Sequence, residues 1–331
     1  MRRRQSLHGL LALGLYVASP LVAGQPTRRD SPAHVATLDD APEAVRAQLW
    51  AIFRKRLGEL GYAEGRNLRI DARFAGGELK RLDPLAAELV ARKPHVIVAV
   101  TTTAALAAKR ATGELPIVAL GPADPVKSGL VASLARPGGN LTGASPNQAE
   151  LAGKWLQLVR ELVSGAKSVA YMTDPGNPGE MLVFRVLEGQ ARPLGMSVSV
   201  LDGVTSASVA RAFAEIAARR TDAVIVATTT SLLAHRQQIV QEAARLRLPA
   251  IYARREYAET GGLLSYGADV GAVFRRGAEY VDRILGGAKP AELPFEMASS
   301  FSFVLNLETA RALGIAIPDA VRIRADEVIE R

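Results

Sequence analysis

Three consecutive threonines follow a β-branched run twice in this chain, in "VIVAVTTTAALAAKR" (96–110) and "VIVATTTSLLAHRQQ" (224–238). A hydroxyl at such a junction can do two kinds of chemistry. It can accept a hydrogen bond from an unpaired N–H in the first turn of the following helix, which is capping. It can also donate to a ligand carboxylate drawn to the positive end of the helix dipole. One cap per helix is enough. Three threonines at both junctions therefore make Thr102, Thr103, Thr229 and Thr230 candidates for facing a ligand.

Covalent chemistry finds less support. Neither half carries GxGxxG after its first strand, and GxxxxGK[ST] and GxSxG are absent. The histidines at 8, 34, 95 and 235 lack metal-ligand spacing. Carboxylates are plentiful, but their spacing pairs none of them for acid–base work. The expectation is a binding protein rather than an enzyme, with no catalytic residue, metal or cofactor.

The elements that must position the threonines alternate in type. "AHVATLD" (33–39) reads as a short strand, and an amphipathic helix runs from about Pro42 to Leu60, ending at Gly61. "NLRIDARFA" is the next strand, and "LDPLAAELVARK" a helix with proline in its first turn. Then come "HVIVAV", the threonines, the helix "AALAAKRAT" and the strand "PIVAL" (116–120). The second half repeats this order. "KSVAYMTD" matches "AHVATLDD", "IAARRTDAVIVATTT" matches "LVARKPHVIVAVTTT", and "LPAIYA" matches "LPIVAL". Strands alternating with helices of this length imply parallel sheets covered on both faces. In such sheets ligands bind beyond the carboxyl ends of the strands, where both threonine trios lie.

Composition narrows the class. The 331 residues are 48% hydrophobic and 22% charged, enough for two globular lobes. Three of the basic residues behind the net charge of +8 are Arg2, Arg3 and Arg4; the others are mixed with acids, without the clustered basic and aromatic residues of a nucleic-acid surface. "MRRRQSLHG", the apolar "LLALGLYVASPLV" and the small residues "VAG" read as an export signal in residues 1–24, cleaved near Gly24. Arg3-Arg4 leaves the Sec and twin-arginine routes both open. With no cysteine, the chain uses neither disulfides nor a lipidated thiol.

The stretch "FRKRLGELGYAEGRNLRIDARFAGGELKRLDPLAAELVARKPHVIVAVTTTAALAAKRAT", with "LPIVALGPADPVKSGLVASLARPGGNLTGAS", resembles the substrate-binding proteins of ABC transporters in the tryptophan/tyrosine-type group. "REYAETGGLLSYGADV" and "NLETARALGIAIPDAVRIRADEVIE" extend the likeness over nearly all of the mature chain. The resemblance implies a type I periplasmic-binding-protein fold: α/β, with two doubly wound parallel-sheet lobes joined by a three-crossover hinge. It puts residues 25–146 and 257–292 in the N-terminal lobe and 147–256 and 293–331 in the C-terminal lobe. Where the family's second lobe opens with Asn-Pro, this chain has Asp174-Pro175.

On that fold the candidate ligand contacts sit at strand ends. The first lobe offers Asp39 beside Asp40, Thr102 and Thr103, Asp124 in "GPADP", and Ser145 near the first crossing. The second offers Thr173, Asp174, Asn177, Thr229, Thr230, Arg254, Glu256 and Tyr266. The expected ligand is a small zwitterion, an amino acid or related carboxylate, with its carboxylate at Thr102–Thr103 and its ammonium on Asp124 or Glu256. Its partner would be a membrane ABC permease, and the binding protein a periplasmic monomer that touches no nucleic acid. A ligand-binding partner of a membrane sensor fits the same residues. A repressor would need a helix-turn-helix before the first lobe, and a hydrolase a nucleophile–base pair.

Overall fold

The computed structural model describes residues 32–330; the expected export signal lies outside them. The first half reads β1 (Ala33–Asp39), α1 (Glu43–Glu59), β2 (Leu68–Phe74), α2 (Leu82–Ala91), β3 (Val96–Val100), α3 (Thr101–Ala111), β4 (Ile117–Leu120) and β5 (Leu141–Ser145). Next come α4 (Gln148–Leu162), β6 (Ser168–Thr173), α5 (Pro178–Ala191), β7 (Ser197–Asp202), α6 (Ser206–Arg219), β8 (Ala223–Val226), α7 (Thr230–Ala234), α8 (Arg236–Arg245) and β9 (Ala250–Tyr252). The chain ends with α9 (Arg255–Glu259), β10 (Leu264–Ala268), α10 (Val270–Leu285), β11 (Glu296–Met297), β12 (Phe301–Asn306), α11 (Leu307–Leu313), α12 (Asp319–Arg322) and β13 (Glu327–Ile329).

Two sheets result, ordered β11-β5-β4-β3-β1-β2 and β13-β12-β10-β9-β8-β6-β7. β3 shows why the first is covered on both faces. Alternate side chains leave a strand on opposite sides. Val96, Val98 and Val100 pack into one cluster with Trp50, Phe53 and Phe274 of α1 and α10, whereas Ile97 and Ala99 join the α2 and α3 side with Leu89 and Ala104. An unbroken apolar strand is what a parallel sheet buried on both sides requires. The second sheet builds its core around Trp155, Tyr171, Phe213 and Tyr252. It departs from all-parallel at one place, where β12 runs antiparallel to β10.

The chain changes sheet three times: after β5, between β10 and α10, and between β11 and β12. The sequence reading put the second change at 257 and the third at 293. Both fall later because α9 is only five residues long and returns the chain at once beside β9, so β10 still pairs in the second sheet. β11 then pairs with β5 before the chain leaves the first sheet.

Gly143 in β5 and Gly267 in β10 stand at corresponding places in the strands that lead to the first two changes. A Cβ on Gly143 would overlap the carbonyl oxygen of Ala119 and lie 2.7 Å from its carbon; on Gly267 it would overlap that of Ala253, 2.9 Å from the carbon. Backbone in a sheet cannot step aside as a flexible side chain can. Gly143→Ala and Gly267→Ala should each cost about 2 kcal/mol or more in urea unfolding. A loss below about 0.5 kcal/mol would contradict the close approach.

Candidate functional site

The carboxyl ends of the two sheets face each other across a cavity of about 400 Å³ lined by both lobes. The lobes touch around it. Val45 of α1 packs against the second lobe's core, and Ala123, from the loop after β4, is buried in that same cluster.

The first-lobe wall is organised by the end of β1. Asp39 is wholly buried and accepts from the Trp50 indole N–H and the Ala41 N–H, both at 2.9 Å. Arg46, one turn into α1, places its Nε 2.9 Å from Asp39 Oδ1 and donates through Nη2 to Asp40 Oδ1 at 2.9 Å. The other oxygen of Asp40 accepts from the hydroxyls of Thr101, at 2.8 Å, and Thr103, at 3.2 Å. Burial lifts the Asp39 carboxyl to about 6, with Arg46 pulling it down and Asp40 pushing it up.

This geometry changes the role of the first threonine trio. The N-terminus of α3 was expected to receive a ligand carboxylate at Thr102–Thr103, but the chain's own Asp40 already takes the hydroxyls of Thr101 and Thr103. Neither helix after a trio has a side-chain cap bond. The trio lies within the first turn of α3, which begins at Thr101. Thr101 has φ +81°, unfavourable for a β-branched residue, and its hydroxyl is held by Asp40 and by Thr103 at 2.9 Å. Thr102 lines the cavity, and its Oγ1 accepts from the Ala123 N–H at 3.1 Å.

The second-lobe wall is acidic as well. Glu180 is buried at the start of α5 and accepts from the Tyr171 hydroxyl at 2.6 Å and the Thr173 hydroxyl at 3.1 Å. Burial raises its pKa, the two hydroxyls oppose that, and Asp174 and Asp40 add to it. Asp174 accepts from the Gly176 N–H at 2.9 Å; its pKa is also raised by burial, with Asp202 and Asp40 contributing. Asn177 caps α5, accepting from the Gly179 N–H at 2.9 Å. Among the described residues, neither Asp174 nor Glu180 has an ion-pair partner, whereas Arg46 is shared by two aspartates. That corner of the cleft carries surplus negative charge.

Hydroxyls and an amide line another part. Thr228, Thr229, Thr230 and Ser231 line the cavity, and Gln148 donates to Thr228. The buried hydroxyl of Thr230 has no hydrogen-bond partner, a state with a desolvation cost unless a ligand supplies one. Phe274, Val45, Leu79, Val270 and Val273 provide apolar lining.

Of the sequence candidates, Thr102, Asp174, Asn177, Thr229, Thr230 and Arg254 line the cavity. Asp39 and Thr103 stand behind Asp40, and Thr173 behind Glu180. Asp124 stays in its own turn, accepting from the Lys127 N–H at 2.9 Å. Ser145 donates to the Pro122 carbonyl at 2.6 Å. Glu256 pairs with Arg254 and lines a separate hollow beside the second crossing. The Tyr266 ring packs against Phe301 and Phe303, centroids 6.1 and 5.9 Å away. The expected placement of an ammonium on Asp124 or Glu256 therefore does not match the cavity's lining. Sequence reasoning passed over Asp40 and missed Arg46, Gln148, Glu180, Ser231 and Phe274. Glu180 had a signal: an acid three residues after an Asn-Pro cap reads as a capping-box partner, which hides its turn toward Tyr171.

Two doubly wound lobes closing on a shared cavity define a two-lobed ligand-binding protein. The chain belongs to the ABC transporter substrate binding protein family, whose model matches residues 47–329; it is a substrate-binding protein rather than an enzyme. A tyrosine-binding protein of Clostridioides difficile (strain R20291) is 26% identical over 276 residues, 83% of this chain and 78% of that one. A conserved domain protein from Vibrio cholerae is 28% identical with a TM-score of 0.83, covering 90% of this chain and 100% of that one. The ABC domain from Streptococcus pneumonia in complex with L-Trp is 24% identical with a TM-score of 0.81, at the same coverage.

The raised Asp39 carboxyl gives the cleft wall a pH signature. An acid whose folded pKa is raised favours the folded state below its ordinary value, about 3.9 for aspartate, and loses that contribution as pH climbs through the folded value. The ligand-free protein should therefore gain stability from this cluster between pH 7 and 5, through the Asp39 value of about 6. A stability that falls between pH 7 and 5 would contradict the buried, raised Asp39 carboxyl.

Proposed function

We propose that this chain is the exported solute-binding component of an ABC importer. It captures a zwitterionic α-amino acid with an aromatic side chain between its lobes and hands it to a membrane permease. The reading rests chiefly on one observation: acids from both lobes, Asp40, Asp174 and Glu180, meet at one cavity whose arginines are already paired within the protein. The ammonium group lies in that acidic corner. The carboxylate takes the hydroxyls of Thr229, Thr230 and Ser231, satisfying the orphan on Thr230. This orientation reverses the one expected from the threonine trio of α3.

The side chain rests on Phe274 and the aliphatic residues beside it. A cavity of about 400 Å³ is within the usual range for small-molecule sites and leaves room for bridging water. The tyrosine-binding relative and the L-Trp complex support the aromatic class. Contacts from both lobes coexist only in the closed state, so ligand and closure favour each other. Export rests on the arginine-rich, then apolar, residues 1–24. No helix among the described residues is long and apolar enough to cross a membrane.

A thermal-shift screen of the mature chain with L-Trp, L-Tyr, L-Phe, L-Leu and uncharged sugars tests this reading. At about one hundred times Kd a ligand adds about 2.7 kcal/mol, a rise of several degrees in Tm. The aromatic amino acids should produce it and the sugars should not. A sugar that raises Tm while every amino acid leaves it unchanged would remove the proposal.

A further inference from the structure

Where the first turn of α3 meets the first turn of α5 across the cleft, the lobes approach with no room between them. Gly179 is the second residue of α5, and Thr102 is in the opening turn of α3. A Cβ built on Gly179 would overlap Thr102 Oγ1 and lie 3.0 Å from Thr102 Cβ. Thr102 cannot simply rotate its hydroxyl away, because Oγ1 accepts the Ala123 N–H at 3.1 Å. Another rotamer would lose that bond and turn the methyl group or hydrogen toward the glycine.

We infer that the Gly179–Thr102 contact is the stop that sets how far the lobes close, and that Gly179 is therefore an affinity-determining position although it offers the ligand no side chain. The contact joins the two walls that carry the binding groups. Asp174, Asn177 and Glu180 flank Gly179 in sequence, and Asp40 is bonded to Thr101 and Thr103 on either side of Thr102. Separating the two helix starts by one methyl group pulls the acids of the second lobe away from Asp40 together. Hydrogen bonds and charge contacts weaken steeply over such displacements. The inference rests on the reading of this cavity as the binding site, but concerns only the geometry of its closure.

Gly179→Ala places a good helix former inside a helix, so local propensity favours the substitution. It also brings the new Cβ within 3.2 Å of Asn177 Oδ1, the cap of the same helix. A structural effect through that cap and an effect through closure are separable. Gly189, in the same helix, has nothing within 4 Å of a built Cβ and serves as the control.

The experiment measures L-Trp and L-Tyr binding by calorimetry and stopped flow for wild type, Gly179→Ala, Gly189→Ala, Thr102→Ala and the Gly179→Ala/Thr102→Ala double variant. Overpacking of this kind is expected to weaken binding roughly tenfold or more in Gly179→Ala, mainly through faster dissociation. The ligand-free Tm should stay level or rise, and Gly189→Ala should bind as wild type. The same glycine change made in the Thr102→Ala background should cost clearly less, because the overlapping oxygen is gone. Equal losses in both backgrounds, or wild-type affinity in Gly179→Ala, would overturn the inference. The contact can also be read without ligand, since the chain has no cysteine to compete. Thr102 Cβ and the built Cβ of Gly179 are 3.0 Å apart, so a Thr102→Cys/Gly179→Cys pair should oxidise to a disulfide once the two helix starts ease apart by about half an ångström, into the range of about 3.5–4.5 Å that the bond needs. If no tested amino acid binds but the disulfide forms, the ligand class fails and the stop stands; if the pair stays reduced, the stop fails.

Discussion

Arg46 is enclosed between Asp39 and Asp40, and much of the cleft follows from that enclosure. Two carboxylates and one guanidinium leave a net negative charge out of contact with bulk water, tolerable only because the remaining lone pairs are used. Trp50 and the Ala41 N–H satisfy Asp39; Thr101 and Thr103 satisfy Asp40. The arrangement fastens the first turn of α1 to the end of β1 and draws the start of α3 toward it. It holds Thr101 at a positive φ that its side chain alone would resist. Above all it fills the positive end of α3 with the protein's own acid, so the first lobe presents a carboxylate where its helix dipole suggested an anion site.

The second lobe adds Asp174 and Glu180 opposite. Acids that face each other across a cleft resist approach until something cationic separates them; the pKa values of both groups are raised chiefly by burial, with the facing acids adding to it. Opposing that repulsion are the apolar contacts of closure, with Val45 and Ala123 buried against the second lobe's core. A ligand that brings an ammonium group removes the penalty and keeps the contacts. Closure and recognition are thus one balance of forces, with the clearance at Gly179 and Thr102 setting its endpoint.

The repeat that built the two lobes could be read from sequence because it is written in local pattern: β-branched runs, helix stops at glycine and an order of elements kept twice. What lay beyond reach was which neighbour each polar side chain chooses. Asp39 and Asp40 are adjacent and alike in sequence. Strand geometry sends one inward to Trp50 and the other to the cleft, and that choice depends on Arg46 six residues past Asp40. Asp124 looked equally suitable, but it bonds the N–H three residues on. The two threonine trios end the same strand pattern, yet α3 runs for eleven residues and α7 stops after five. Only the first trio is bound to an aspartate from the end of β1. The second crossing was misjudged for a related reason: "REYAETGG" looks like a departure from the sheet, but its short helix returns the chain to the same one.

The proposed function requires the cleft to select its ligand by the cation. The most direct measurement is calorimetric binding of a matched pair that divides the zwitterion: tryptamine, with the ammonium and no carboxylate, and indole-3-propionate, with the carboxylate and no ammonium. Tryptamine should bind more weakly than L-Trp but measurably, and indole-3-propionate should not bind. Binding of the acid without the amine would contradict it.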